Sequence, residues 1–380
     1  MRWLQQLTAS APCVASQDLQ PSDILKANLI DAIDQAHPLA EGEKGPSRAD
    51  EFGDWWQELE TDITRERLQE LLSFAVRIYD ESIASIPCGE NEYPIISGFA
   101  DRMRKAGLLT EFALDVLPKA ADAFCSAARV KTAAEQNGSV DAQVDRELAA
   151  LSYNTAKSAE WMPLVMRVLM RRDPPSKTAR TLRRVERLAA YLTICVSNAK
   201  ARAARYVAAG LAVSADDALL PLQLSAEEVQ ALRAAIDDPL LYKKRYAKLV
   251  LLRADLALRD GGSPPNKELV DRATVEHVLP QQPEDKSRWL RDFPSAAERE
   301  ERTHSLGNLM LIPRAKNSKA GRLDFREKLD CYFKRDGDPS FCSFVLTDTV
   351  YALEQWTPKE MDKRHQLLRN ALCSNRGWEL

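Results

Sequence analysis

The sequence predicts a mainly α protein: a multi-helix domain followed by a small unit of two strands and one helix, packed with C-terminal helices. Glycine is scarce, at 14 of 380 residues, and long stretches rich in Ala, Leu, Arg and Glu favour helix. Apolar residues recur at three- and four-residue spacing along most of the chain. After residues 261–265, a Gly/Pro-rich linker, two short strand-like runs appear, each ended by proline.

Three regions follow from this pattern. We expect residues 1–53 to form an N-terminal helix, beginning near Ser22, and a loop over 37–54. A helical domain with a basic face is expected over 54–260. Its helices are predicted at 55–86, 108–134, 158–172, 176–210, 225–236 and 238–260. The third region, 266–380, is expected to be the small C-terminal domain.

The C-terminal region has its own element order. Strands are predicted at 274–279 and 309–312. Asp324 followed by Glu327 is a capping-box arrangement, which predicts a helix over 324–335. An amphipathic stretch at 358–373 is predicted to complete the core of this region.

Composition limits the classes of protein to which the chain can belong. Apolar residues make up 45 % and charged residues 29 %, the balance of a soluble globular protein. No apolar run of about 18 residues occurs, so no membrane partner is expected, and the N-terminus lacks the apolar core of a signal peptide. Seven cysteines without a Cys-x-x-Cys pair favour reduced thiols and a cytoplasmic location.

Charge is distributed unevenly although the net charge is only −3. Residues 166–206 contain eleven basic residues and two acids. Arg180, Arg183, Arg184 and Arg187 lie three or four positions apart and share one helical face, where they could follow a phosphate backbone. A solvated helix face is the alternative that a charge run alone favours.

The chemistry-bearing residues lie in the C-terminal region. Taken singly, His277 is typical of a half-buried structural histidine, Asn308 of a turn and Asn317 of a helix cap. Together they fit phosphodiester hydrolysis, in which His277 deprotonates water and oxygens of Glu276 and Asn317 bind Mg²⁺ or Mn²⁺. Basic residues of one loop would then contact phosphate: Arg314, Lys316, Lys319 and Arg322.

Three motifs in order resemble the HNH (ββα-metal) nucleases. They are Glu-His-Val-Leu-Pro-Gln from 276, Leu-Gly-Asn-Leu-Met-Leu from 306, and Lys-Asn-Ser-Lys from 316. More narrowly, residues 240–380, including Trp356-Thr357-Pro358 and Arg364, resemble the C-terminal nuclease domain of GmrSD-type modification-dependent restriction enzymes. The related Ssp phosphorothioate-linked phage-defence effector has a similar domain.

The resemblance implies a role for each matching residue. It makes His277 the general base, Glu276 and Asn317 the metal ligands, and Asn308 a brace for the loop between the strands. His304 contacts the scissile phosphate or stabilises the fold; both alternatives stay open. With one base and one metal, each protomer is expected to nick one strand of DNA, leaving 5′-phosphate and 3′-hydroxyl ends.

A looser resemblance extends upstream. Residues 18–26 resemble the stretch that closes the N-terminal ParB-like nucleotidase domain of those enzymes. No P-loop or glycine-rich phosphate cradle occurs here. We therefore expect the nucleotidase domain to be missing from this sequence, residues 1–53 to be the linker that follows it, and that domain to be a partner from the same effector. The expected substrate is double-stranded phage or modified DNA in a restriction or antiviral system; homo-oligomerisation stays open. The alternatives are a helical regulatory module with an inactive or auxiliary HNH unit, and an RNA-directed nuclease.

Overall fold

The computed structural model describes residues 20–40, 45–86, 92–128, 141–153, 159–215, 220–259, 263–333, 344–351 and 353–380. The part of the resembling stretch 18–26 that precedes Gln20 lies outside these residues. Contacts divide the chain into two compact units, with described residues up to Cys125 in the first and those from Ser126 in the second. The prediction of a mainly helical chain with one small sheet is confirmed.

The described helices up to residue 128 are α1 (Pro21–Ala36), α2 (Arg48–Asp62), α3 (Arg65–Tyr79), α4 (Glu81–Ala84), α5 (Glu92–Ala106), α6 (Leu109–Glu111), a π-helical turn (Phe112–Val116) and α7 (Leu117–Ala128). The predicted loop over 37–54 is wrong from residue 48 onward. The Ser47 hydroxyl and the Asp50 carboxylate form a capping box there, which satisfies free amides at the start of α2.

The second unit begins with α8 (Ala142–Ser152), α9 (Met162–Met170), α10 (Pro175–Cys195), α11 (Ala199–Ser214), a 3₁₀ turn (Leu220–Leu222), α12 (Ala226–Ile236), a 3₁₀ turn (Leu241–Lys243), α13 (Ala247–Leu258) and α14 (Lys267–Arg272). After these come β1 (Ala273–His277), α15 (Trp289–Asp292), α16 (Ala296–Thr303), a 3₁₀ turn (Leu306–Asn308), β2 (Leu309–Pro313), α17 (Arg314–Ala320), α18 (Phe325–Phe333), α19 (Val345–Tyr351) and α20 (Pro358–Cys373).

Two predicted long helices are interrupted by polar caps. The helix expected over 55–86 breaks where Thr64 accepts a hydrogen bond from the amide of Arg67. The helix expected over 176–210 breaks at 196–198, because the Asn198 side chain caps the first amides of α11. In both places a local side-chain acceptor outweighs an apolar pattern that continues past the break.

β1 and β2 are antiparallel, with Glu276 opposite Met310 and His277 opposite Leu309. The first strand is shorter than predicted, because beyond His277 its backbone bonds to Asn308. The amide of Val278 donates to the backbone carbonyl of Asn308 at 3.0 Å, and the amide of Leu279 donates to Asn308 Oδ1 at 2.7 Å.

One hydrophobic core contains residues of the sheet and of helices that precede and follow the sheet in sequence. It contains Ile236 of α12, Val250 of α13, Met310 of β2 and Leu368 of α20, each buried. This core therefore includes residues from both sides of the predicted linker, residues 261–265. Of the described helices, none is both long and apolar enough to cross a bilayer.

Candidate functional site

Glu276 and His277 are the last two residues of β1 and both line one polar cleft of about 280 Å³. Neighbouring side chains of a strand point to opposite faces, but the strand ends here and both residues border the cleft. The remaining lining residues are Pro280, Gln281, Gln282, Gly321, Arg322 and Lys328. Polar side chains dominate this lining, which suits a charged ligand better than an apolar one.

The carboxylate of Glu276 is held by two donors from α18. Lys328 Nζ donates to Oε1 at 2.8 Å, and the Tyr332 hydroxyl donates to the same oxygen at 2.9 Å. Lys328 also donates to the backbone carbonyl of His277 at 2.7 Å. No described residue is hydrogen-bonded to Oε2, so one oxygen is held and the other is left for a ligand.

The imidazole of His277 is buried against a second histidine and a tyrosine. Its Nε2 lies 3.2 Å from Nδ1 of His304, and its ring centroid lies 4.1 Å from that of Tyr242. Burial, assisted by the positive charges of His304 and Lys328, lowers the pKa of His277 to about 3. The ring is therefore neutral at neutral pH. Burial and the charge of Lys243 likewise lower the pKa of His304.

Asn308 is fully buried and its side chain makes three hydrogen bonds to backbone. Oδ1 accepts from the amide of Leu279, while Nδ2 donates to the carbonyls of Leu279 at 3.0 Å and Thr303 at 2.8 Å. These bonds fix the segment that follows His277 to the segment that precedes β2. The backbone that follows His277 is thereby held against the residue that precedes His304.

Asn317 lies on α17, which packs against both strands. Its Nδ2 donates to Thr274 Oγ1 at 3.1 Å and to the carbonyl of Val275 at 3.2 Å. The side chain therefore lies beside β1, one residue before Glu276, and is absent from the described lining of the cleft. No described residue donates to Asn317 Oδ1.

Within the described part of the chain, no three His, Cys, Asp or Glu side chains come together as a metal cluster. The oxygens that remain for a hard cation near the end of β1 are Glu276 Oε2 and Asn317 Oδ1. A carboxylate and an amide oxygen are the ligand types that Mg²⁺ takes from proteins, with water and substrate completing its shell. By chemical type both oxygens suit such a cation, and of the two residues Glu276 lines the cleft.

Residues 227–371 match the family model for GmrSD restriction endonucleases, C-terminal domain. This segment contains β1, β2 and every residue of the cleft. This segment is similar to that C-terminal domain. The predicted resemblance to GmrSD-type enzymes is thus confirmed over these residues. None of the curated proteins compared with the chain matches it.

Of the predicted basic loop, one residue is shown at the cleft. Arg322 lines it and donates to Gln282 Oε1 at 3.1 Å. Arg314 and Lys319 are exposed on α17. The side chain of Lys316 lies outside the described part of the structure.

The basic helix α10 precedes the segment that matches the family model, and two of its four arginines make internal contacts. Arg183 bonds Glu147 Oε1 at 2.7 Å, and Arg187 donates to the carbonyl of Glu379 at 3.2 Å. Arg180 is exposed and Arg184 half-buried. The helix face that was predicted to contact phosphates therefore holds the C-terminal segment, through Arg183 and Arg187.

Lys328, Tyr332 and Tyr242 belong to the cleft surroundings and were not among the predicted site residues. A signal for Lys328 was present: it shares the helical face of Phe325, Leu329 and Tyr332, all buried. A lysine on an apolar helix face needs a buried partner. The sequence did not indicate that this partner is Glu276, 52 positions earlier.

Proposed function

We propose that this chain is a metal-dependent DNA endonuclease of the HNH type, acting in a restriction or antiviral defence system. One observation carries the proposal. A buried carboxylate and a buried neutral imidazole meet at the same polar cleft, within a segment that matches the restriction endonuclease family. In this proposal β1, β2 and α17 form the ββα unit.

His277 acts as the general base. With Nε2–H donating to His304 Nδ1, its Nδ1 becomes the acceptor on the other edge of the ring, where Gln281 Nε2 lies at 3.5 Å. A water that displaces this weak contact can give its proton to Nδ1. The negative charge of a bound phosphate opposes the lowering of the imidazole pKa. His304 thus positions His277 rather than contacting phosphate.

Glu276 and Asn317 would hold Mg²⁺ or Mn²⁺ through Oε2 and Oδ1. The bound cation supplies positive charge for the phosphate and the departing 3′ oxygen. Arg322 at the cleft, with Arg314, Lys316 and Lys319 on α17, contributes phosphate contacts that are indifferent to base sequence. With a single base per protomer, the expected product is a nick, and recognition of a modification such as phosphorothioate lies outside this cleft.

The proposal predicts metal-dependent nicking by the wild-type chain. Supercoiled plasmid should convert to open circles with Mg²⁺ or Mn²⁺ and remain supercoiled with EDTA. Nicking should weaken steeply as salt is raised, because phosphate contacts release counterions. Plasmid that stays supercoiled with either metal would favour the regulatory-module alternative. Preferential cleavage of a matched RNA would favour an RNA-directed nuclease.

We also propose that Arg180 and Arg184 contact the DNA backbone. The double variant Arg180→Glu/Arg184→Glu should weaken DNA binding about tenfold in a gel-shift titration at low salt, through lost phosphate contacts. Arg183 and Arg187 are left intact, because their internal contacts would confuse the result. The control is Arg48→Glu/Lys105→Glu, which makes the same change in charge at exposed sites of the first unit. Equal binding by both variants and wild type would remove α10 from the interface.

A further inference from the structure

We propose that Lys328 and Tyr332 position Glu276, so that a single oxygen, Oε2, is presented to a divalent cation beside His277. The inference rests on the proposed function and assigns to α18 a part in it. Lys328 is a positioning residue: it acts through Glu276 and His277 and touches neither cation nor water in this role.

The contacts of Lys328 connect the two residues on which the chemistry depends. Its ammonium bonds the side chain of Glu276 at 2.8 Å and the backbone carbonyl of His277 at 2.7 Å. The buried ammonium of Lys328 therefore fixes the carboxylate of Glu276 relative to the end of β1, which carries the imidazole. Without such a link, strand geometry would direct these neighbouring side chains apart.

Tyr332 adds direction to this arrangement. Its hydroxyl bonds the same oxygen as Lys328, at 2.9 Å. Two donors on Oε1 disfavour rotation of the carboxylate, because rotation would weaken both of these hydrogen bonds in a buried site. They also disfavour a bidentate cation, which would have to share Oε1 with an ammonium.

The packing of α18 holds both donors in place. Lys328 and Tyr332 are four residues apart and both are fully buried. Phe325, one turn earlier, contacts both Trp289 and Trp356, with ring centroids 6.2 and 5.9 Å away. The donors are therefore carried by a helix with little freedom to shift.

Stability alone does not account for this lysine. Lys328 is fully buried, so its charge carries a desolvation cost. A buried ion pair gains little net stability over an apolar pair of similar volume. The position of the pair at the cleft, in contact with the backbone of His277, indicates a role in the site.

The test uses the full chain and two variants. Lys328→Met keeps the length of the side chain and removes the charge, and Tyr332→Phe removes only the hydroxyl. Mn²⁺ binding is measured by calorimetry without DNA, and plasmid nicking is measured at saturating Mn²⁺. We expect Lys328→Met to nick about 10- to 100-fold more slowly while binding Mn²⁺ at least as tightly as wild type, because a nearby positive charge is gone. Tyr332→Phe should nick a few-fold more slowly with unchanged Mn²⁺ affinity.

Two results would overturn the inference: Lys328→Met nicking at the wild-type rate, or faster nicking, which would mean that the ammonium excludes the cation. The control is Lys359→Met, at an exposed site on α20. If Lys328→Met does not fold, Tyr332→Phe decides, and wild-type nicking by that variant refutes the inference. Failure of the wild-type chain to nick with metal would instead refute the proposed function.

Discussion

Replacement of His277 by alanine is expected to slow nicking at saturating Mg²⁺ by about 10²- to 10⁴-fold, the usual contribution of a general base. The imidazole is the neutral base placed beside Glu276, and burial keeps its pKa at about 3 in the absence of DNA. Alanine leaves the cleft without a group that accepts the proton of the attacking water. Single-turnover nicking of supercoiled plasmid measures the effect.

A second histidine provides a matched control for this experiment. His37 is exposed at the end of α1 in the first unit, and His37→Ala should nick at the wild-type rate. Far-UV circular dichroism should show that both variants retain the wild-type helix content. If the His277 variant nicks as fast as the His37 variant, another group is the base and the proposed mechanism is incorrect.

Replacement of Arg253 by methionine is expected to reduce the free energy of unfolding by about 3–5 kcal/mol, the cost of leaving a buried charge unpaired. Arg253 donates to Glu186 Oε1 at 3.2 Å and to the carbonyls of Arg376 and Gly377 at 2.8 and 2.7 Å. Glu186 is fully buried and also accepts from Trp378 Nε1 at 2.7 Å. The variant removes the charge partner of Glu186 and releases the C-terminal segment. Urea unfolding followed by circular dichroism gives the difference.

The double variant Glu186→Gln/Arg253→Met separates charge from packing. It removes the unpaired carboxylate, while the oxygen of the introduced amide could still accept from Trp378. The double variant should therefore recover about 2 kcal/mol relative to the single variant. No recovery in the double variant would show that the lost backbone contacts, and not the buried charge, determine the stability of this region.

Local sequence patterns predicted much of what positions the site. Proline after each strand and the capping box at Asp324 located β1, β2 and α18 to within a few residues. The order Glu276, His277, Asn308 followed from motifs that are continuous in sequence. Helix interruptions at Thr64 and Asn198 were missed, because one capping side chain changes a helix end without changing the apolar period.

Those local patterns could not predict contacts between elements that are far apart in sequence. Lys328 meets Glu276 across 52 positions, and Trp378 meets Glu186 across 192. Periodicity shows which face of a helix is buried, but not which charged group of another element faces it. For the same reason the arginines of α10 could be assigned to one face, whereas the internal partners of Arg183 and Arg187 could not be foreseen.

The cation site can be tested most directly by anomalous scattering from crystals of the full chain soaked in MnCl₂. We expect a manganese peak bonded to Glu276 Oε2 at about 2.1 Å, with Oε1 still bonded to Lys328 and Tyr332. A manganese peak elsewhere on the chain, with none at Glu276, would contradict the proposed metal site and the mechanism that depends on it.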